Sequence, residues 1–336
     1  MGVRVVSRWF WRALLTILTL VLATLAVFRI LTFARERQTA EQAAPASGRF
    51  VPAGDKKIYI AEVGPKTGLP IVLIHGFGAW SETWKQTTSA ISAQGIHAVA
   101  LDMPPFGFSE KITDGTFSRQ AQARRIIAVL DALHLQEAVL VGHSVGARPT
   151  VEAALLAPER IKGLVLVDAA LGFGDSREFD QNHPTFFTRA FYSLHPLRNA
   201  VLSATATNPL MTKRLLSTFV ADPAVLTPSL LSIYQKPFSV KDSTNRLGDW
   251  LKVLSVDEDT SISSRLANLS KLTMPTLLIW GDKDTITPLW QGETLQRTIP
   301  KSSLTVLTGL GHIPQIEDSA QFNRALLPFV VQRARR

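Results

Sequence analysis

Seven short runs of apolar, largely β-branched residues constrain this chain more than anything else in it. They are "KIYIAEV" (57–63), "PIVLIHG" (70–76), "IHAVALD" (96–102), "EAVLVG" (137–142), "IKGLVLVD" (161–168), "PTLLIWG" (275–281) and "SLTVLTG" (303–309). Several show almost no alternation of polar and apolar positions. A strand with one wet face alternates, whereas an unbroken apolar run is covered on both faces, the condition of a parallel sheet sandwiched by helices.

Helical patterns fill the gaps. "SRQAQARRIIAVLDALHL" (118–135) places Ile126, Ile127, Leu130 and Leu133 on one stripe, with Arg124 and Arg125 opposite or flanking, which reads as a solvated face. "SVGARPTVEAALLA" (144–157) and "SAQFNRALLPFVVQRA" (319–334) also read as helices, with Pro149 and Pro328 disturbing the pattern. Residues 170–262 break the alternation: they hold little strand pattern, many Phe, Pro and Leu, and short helical stretches. They are expected to form a helical cap inserted over the carboxyl ends of the strands, where open α/β sheets bind ligands. The α/β core is then expected in residues 49–169 and 263–336.

The chain carries a formal charge of +9, but more than half of the excess lies in residues 1–40, where Arg4, Arg8, Arg12, Arg29, Arg35 and Arg37 face Glu36 alone. No basic run follows, so nucleic acid is not an expected partner. Residues 13–28 are uncharged, a little short of the roughly 20 that a spanning helix needs, and "RILTFA" extends the run if Arg29 reaches the interface. Trp9, Phe10 and Trp11 sit where an interfacial aromatic belt would lie. A cleaved signal would end at a small-x-small site, and the nearest clear one, "APA" at 44–46, is well beyond the apolar run. Residues 1–34 therefore read as a membrane anchor and the polar, Ala-rich 35–48 as a tether. Three arginines on each side of the run leave its orientation open. With no cysteine and no histidine pair at ligand spacing, no zinc site and no cofactor are expected.

"VLVGHSVGAR" (139–148) holds Gly142, Ser144 and Gly146 between a strand and a helix. Small residues at the flanks let strand and helix close around a strained serine exposed at the sheet edge. A serine hydroxyl needs a base. His312, between glycines in "GLGHIPQIE" after the last strand run, is the candidate; His143 is expected to point away into the core, His97 and His134 read as structural, and His183 and His195 fall in the cap. The base needs a carboxylate to fix its tautomer. "WGDKDTITP" offers Asp282 and Asp284, of which Asp284 is better placed at the turn, and Asp168 at the end of 161–168 is a third option. Donors for a developing oxyanion are expected at the backbone amides of Val145 and of Phe77, in the turn that Gly76 and Gly78 permit.

The order and spacing of "IHGFGAW", "LDMPPFGFSE", "VGHSVGA", "WGDKDTITP" and "GLGHIPQIE" resemble the α/β-hydrolase superfamily over about residues 50–335. The chain looks most similar to the branch with esterases, cofactor-free haloperoxidases and meta-cleavage-product (carbon–carbon bond) hydrolases. The resemblance implies Ser144 as nucleophile, His312 as base and acid, Asp284 as its orienter, and Phe77 with Val145 as oxyanion donors. The family usually has Gly where this chain has Pro105. Ser144 argues against the relatives with an Asp nucleophile, haloalkane dehalogenases and epoxide hydrolases.

These readings together predict a membrane-anchored serine hydrolase of the α/β-hydrolase fold acting on a small or medium, apolar ester. The first rival is carbon–carbon bond hydrolysis, for which the cap would have to supply a cation such as Arg189, Arg198 or Arg214. The second is a ligand-binding protein that kept the fold without turnover. In "HPTFFTRAFYSLHPL" (183–197) the aromatic residues are expected either to form the cap's own core or, through Phe187, Phe191 and Leu194 at helical spacing, to leave an apolar face open.

Overall fold

The computed structural model describes residues 2–173, 184–257 and 259–335, with side chains from Arg8 onward; His183 lies outside them. Eight strands form one sheet in the order β1-β2-β4-β3-β5-β6-β7-β8. They are β1 (Arg49–Ala53), β2 (Lys56–Val63), β3 (Ile71–Ile74), β4 (Ala98–Leu101), β5 (Ala138–His143), β6 (Ile161–Val167), β7 (Thr276–Gly281) and β8 (Ser302–Leu307). β1 and β2 pair antiparallel, β2 meets β4 antiparallel, and every later pairing is parallel. β3, β4 and β5 are buried at every position, as expected from their lack of alternation.

Thirteen α-helices occur among the described residues. α1 (Gly2–Arg35) and α2 (Ala40–Ala43) precede the sheet; α3 (Lys85–Ser92), α4 (Arg119–Ala132) and α5 (Ala147–Leu156) connect β3 to β6. α6 (Phe186–Ser193), α7 (His195–Ala204), α8 (Thr212–Leu216), α9 (Pro228–Gln235) and α10 (Ser243–Ser255) stand between β6 and β7. α11 (Trp290–Thr298), α12 (Pro314–Glu317) and α13 (Ser319–Ala334) complete the chain. Ile126, Val129 and Leu130 of α4 pack with Leu140 and Leu164 on one face of the sheet. Phe322, Leu326 and Val330 of α13 pack with Val141, Val165 and Ile279 on the other. Each fully buried Val, Leu or Ile of these layers stabilises the fold by about 1.5–3 kcal/mol.

Three expectations are corrected. β1 is not among the expected strands: it is five residues long, contains Pro52 and lies at the sheet edge, where a missing amide is tolerated. That edge changes α4. The hairpin covers its flank, so Arg125 is buried and grips Asp55 through Nε at 3.0 Å and Nη2 at 2.7 Å instead of facing water. The segment 35–48 is not a loose tether. Glu36 is buried, Thr39 and Gln42 close a capping box on α2, and Ala43 packs with Tyr59, Trp80 and Val240.

The end of α1 explains why. Leu25, Phe28, Arg29, Thr32, Arg35 and Glu36 recur every three or four residues and are the partly or fully covered positions of its last turns. The helix end meets α7 and α10. Arg29 donates through Nη2 to Asn245 Oδ1 at 2.6 Å, Arg35 Nε donates to the Phe238 carbonyl at 3.1 Å, and Glu36 accepts the Thr244 amide at 3.0 Å and its hydroxyl. The part before Leu25 is bare, and Arg8–Arg35, with a mean hydropathy of 2.4 in its most apolar stretch, is long and apolar enough to cross a membrane. On α6, Phe186 (78%) and Phe187 (82%) are open to solvent, with Leu194 exposed just after it, so these side chains form no cap core.

Candidate active site

The topology sets the place. After β3 the chain steps outward to β4 and then returns to β5 on the other side of β3, so the loops after β3 and β5 part at their carboxyl ends and open a crevice. Ile74 pairs with Gly142 in register, which brings the turn after Ile74 beside Ser144.

Ser144 sits at φ +51°, left-handed for a residue with a side chain. Such strain persists only where the surroundings enforce it. Here they do. A Cβ on Gly146 would lie 2.2 Å from the His75 carbonyl oxygen, and one on Gly142 would lie 2.6 Å from Thr150 Oγ1, so β5, the turn after β3 and α5 close around the serine. Val145 is the second residue of the 3₁₀ turn Ser144–Gly146, where the first amides have no partner in their own helix.

The loop after β8 carries His312, 2% exposed. Its Nε2 lies 2.8 Å from Ser144 Oγ and its Nδ1 lies 2.8 Å from Asp284 Oδ2. Asp284 also accepts the amides of Ile286 at 2.7 Å and Thr287 at 3.0 Å, and the Thr287 hydroxyl at 2.6 Å. Burial pushes its carboxyl up, but the bond and charge of His312 and the bonds from Thr287 outweigh it and hold Asp284 below the ordinary carboxylate range. Asp282 accepts the Gly309 amide at 2.7 Å and takes no part in this chain. Asp168 accepts the Gly281 amide at 2.9 Å and does not reach His312. The structure thus brings Ser144, His312 and Asp284 together; Phe77 and Val145 pack against one apolar cluster that holds Phe106 and Trp250.

Two further histidines brace the site. His143 Nε2 donates to the His312 carbonyl at 2.8 Å, and His75 Nε2 accepts the Met103 amide at 2.9 Å while its Nδ1 donates to Gly76. Burial lowers His143 to about 3 and His75 to about 4, so both are neutral at pH 7. His143 does turn away from Ser144, yet it fixes the loop of the base; only its position next to Ser144 could have signalled this. The turn after Asp102 is held without the family's glycine at Pro105, because Asp102 accepts the amides of Ser81 and Phe108 at 2.7 Å each.

A cavity touches this elbow at Val145 and Gly146, with His75, Met103, Phe106 and Trp250 around it and Arg119, Arg148, Asp259 and Ser261 at its polar end. Arg189 and Arg214 are exposed, and Arg198 is buried in an ion pair with Asp249 at 2.9 Å. None of the three lines the cavity. The cations that do, Arg119 and Arg148, come from α4 and α5 and not from the α6–α10 helices. Among the described residues no cluster of His, Asp and Glu could hold a metal ion.

A sequence profile described as "alpha/beta hydrolase fold" matches residues 70–319. The chain belongs to the α/β-hydrolase family, and it is a hydrolase. Among its relatives, Lipase 3 of Moraxella sp. (strain TA144) is 27% identical over 267 residues, covering 79% of this chain and 78% of the lipase. The 2-hydroxymuconate semialdehyde hydrolase of Pseudomonas putida is 28% identical over 299 residues, 87% of this chain and 97% of the relative. A solved structure described as a membrane phospholipase A and bacterial virulence factor superposes with a TM-score of 0.67 at 23% identity, covering 97% of this chain and 99% of its own; at that identity the likeness is one of fold.

Proposed function

We propose that this chain is a membrane-anchored serine hydrolase that cleaves apolar acyl esters through an acyl-enzyme. The observation that carries the reading is the unbroken run Ser144 Oγ, His312, Asp284, with both links at 2.8 Å. His312 Nε2 takes the hydroxyl proton as Ser144 Oγ bonds to the ester carbonyl carbon. Asp284 holds the Nδ1–H tautomer and favours the imidazolium that forms. The amides of Phe77 and Val145 receive the developing oxyanion. Collapse expels the alcohol, which takes the proton from His312, and water repeats the sequence to release the acid. Phe106, Val145, Trp250, Val253 and Leu254 offer an apolar acyl chain a place in the cavity. α1 would hold the domain at a bilayer that supplies such esters, and the lipase among the relatives is consistent with that source.

Carbon–carbon bond hydrolysis uses the same three residues and needs a cation for the substrate's carboxylate; Arg148 at the polar end of the cavity favours it as a second reading. One experiment separates them. A fluorophosphonate probe should label the protein at Ser144, and turnover should be measured on acyl esters of rising chain length beside a vinylogous keto-acid. Ester turnover that rises with chain length supports the proposal. Turnover of the keto-acid alone would replace it with the second reading.

A further inference from the structure

Asp168 ends the β6 region inside the same site, yet the reaction proposed above does not use it. Its carboxyl is fully buried, and Oδ1 accepts the Gly281 amide at 2.9 Å. Oδ2, counted as an acceptor, finds no partner. Asp284, on the loop after β7, shares the Thr287 hydroxyl with Asp168: that hydroxyl lies 2.6 Å from Asp284 Oδ2 and 3.2 Å from the Asp168 carbonyl oxygen. The charges of Asp284 and of Glu317 on α12 both act on the Asp168 carboxyl. No described cation forms an ion pair with that carboxyl. The backbone here bends to φ +42°, which costs strain in a residue other than glycine.

Two ionised carboxylates in contact away from water repel strongly, whereas one proton between them turns the repulsion into a hydrogen bond. Asp284 is the better place for the charge: two amides, the Thr287 hydroxyl and the imidazole face it, against one amide at Asp168. Burial, followed by the Asp284 charge, raises the Asp168 carboxyl well above the ordinary carboxylate range.

We propose that Asp168 is a positioning residue, a neutral carboxylic acid whose Oδ2–H donates to the Asp284 carboxylate. The bond orients Asp284 toward His312 and spreads its charge. Asp284 then stabilises the imidazolium less than a lone carboxylate would. The inference rests on the roles of Ser144, His312 and Asp284 proposed above.

The test is the rate of fluorophosphonate labelling against pH for the full-length protein in detergent, as wild type, Asp168→Asn and Asp168→Ala. Asn keeps an acceptor for Gly281 and places an N–H where the acid O–H stood. Labelling of D168N should stay within about threefold of wild type, with its acid limb unmoved. D168A loses the donor, so its rate should fall about tenfold and the acid limb should rise by about half a pH unit. An acid limb that drops by about one unit in D168N would mean that Asp168 is ionised in the native site, and the proposal fails. A limb that does not move in D168A leaves only a packing role and also overturns it. If D168A does not fold, D168N alone still decides between acid and carboxylate. A wild type that is not labelled at Ser144 fails at the earlier step, the triad itself, and takes this inference with it; a labelled wild type with the wrong limb sinks only Asp168.

Discussion

The α/β sheet and the α6–α10 helices are held together by different chemistry. In the sheet, β3, β4 and β5 bury every side chain, and shape and apolar area do the work. Between β6 and β7 smaller apolar clusters, such as Leu216, Leu226 and Tyr234, are supplemented by polar links: Arg198 to Asp249 at 2.9 Å, Thr207 to Thr244 at 2.8 Å, Arg29 of α1 to Asn245 at 2.6 Å. Apolar layers are written in a local period that a short stretch of sequence displays. Polar links are written in pairs far apart in the chain, and neither partner announces the other. The sheet side of the molecule is therefore the part that tolerates hydrophobic exchange, and the α6–α10 side is the part where one lost acceptor strands a donor.

Substitutions can break this contrast. Ser144→Ala should lower kcat by about 10⁶ while leaving the thermal transition in place, because only the reacting oxygen is lost; an unchanged kcat in purified protein would remove Ser144 from the reaction. Asp284→Asn should cost about 10⁴ in kcat with a modest change in KM, since it spoils the tautomer of His312 without emptying the cavity.

Acid should act on the sheet side first. His143 and His75 are held near 3 and 4, below the ordinary value of about 6.5, so the unfolded chain binds more protons between those limits. Their contribution is present above about pH 6.5 and is lost as pH falls through 4 to 3. A melting temperature that declines steadily from pH 7 to pH 4, less steeply in His143→Gln, checks the sign.

Glu36→Ala strands the Thr244 amide and hydroxyl and should cost about 1–3 kcal/mol, a melting-temperature loss of several degrees in detergent, with turnover of a soluble short ester within a few-fold of wild type. No loss of stability would show that α1 merely rests on α10. The smallest effect is expected at Phe187, 82% exposed. Phe187→Ser should leave stability unchanged and reduce, a few-fold at most, any gain in ester turnover on adding liposomes. An equal gain in both proteins would assign that face no part at the membrane.

How much is legible in the sequence follows the same divide. The strand runs locate seven of the eight strands, because burial on both faces leaves a local signature; β1 escapes because a five-residue edge strand with a proline shows none. Ser144, His312 and Asp284 are legible as candidates since each sits in a short glycine- or aspartate-rich turn directly after a strand, and the structure sets them 2.8 Å apart. Arg125 reads as solvated because its partner Asp55 lies 70 residues away, in a hairpin whose first strand leaves no signature. Arg148 gives no sign of lining the cavity, since in sequence it is one more polar position at the start of a helix. Glu36 reads as part of a loose polar stretch, and nothing near it in sequence betrays its acceptance of Thr244, 208 residues on.

α10 has two sides with separate duties. Thr244 and Asn245 meet the end of α1, and Trp250, one or two turns on, meets Phe106 at 5.1 Å and Phe77 at 6.0 Å between ring centres. An α-helix rises about 1.5 Å per residue and a bilayer's hydrocarbon takes about 20 residues. If the 28 residues of Arg8–Arg35 cross a bilayer as proposed, roughly eight, or about 12 Å of stem, would stand outside the hydrocarbon. That stem is joined without slack to α10, which also lines the cavity, so the proposed anchor would hold Ser144 at one height above the membrane. An enzyme of the proposed kind would select by depth as well as by chemistry: an ester would be within reach only where its carbonyl rides at the height that the stem dictates.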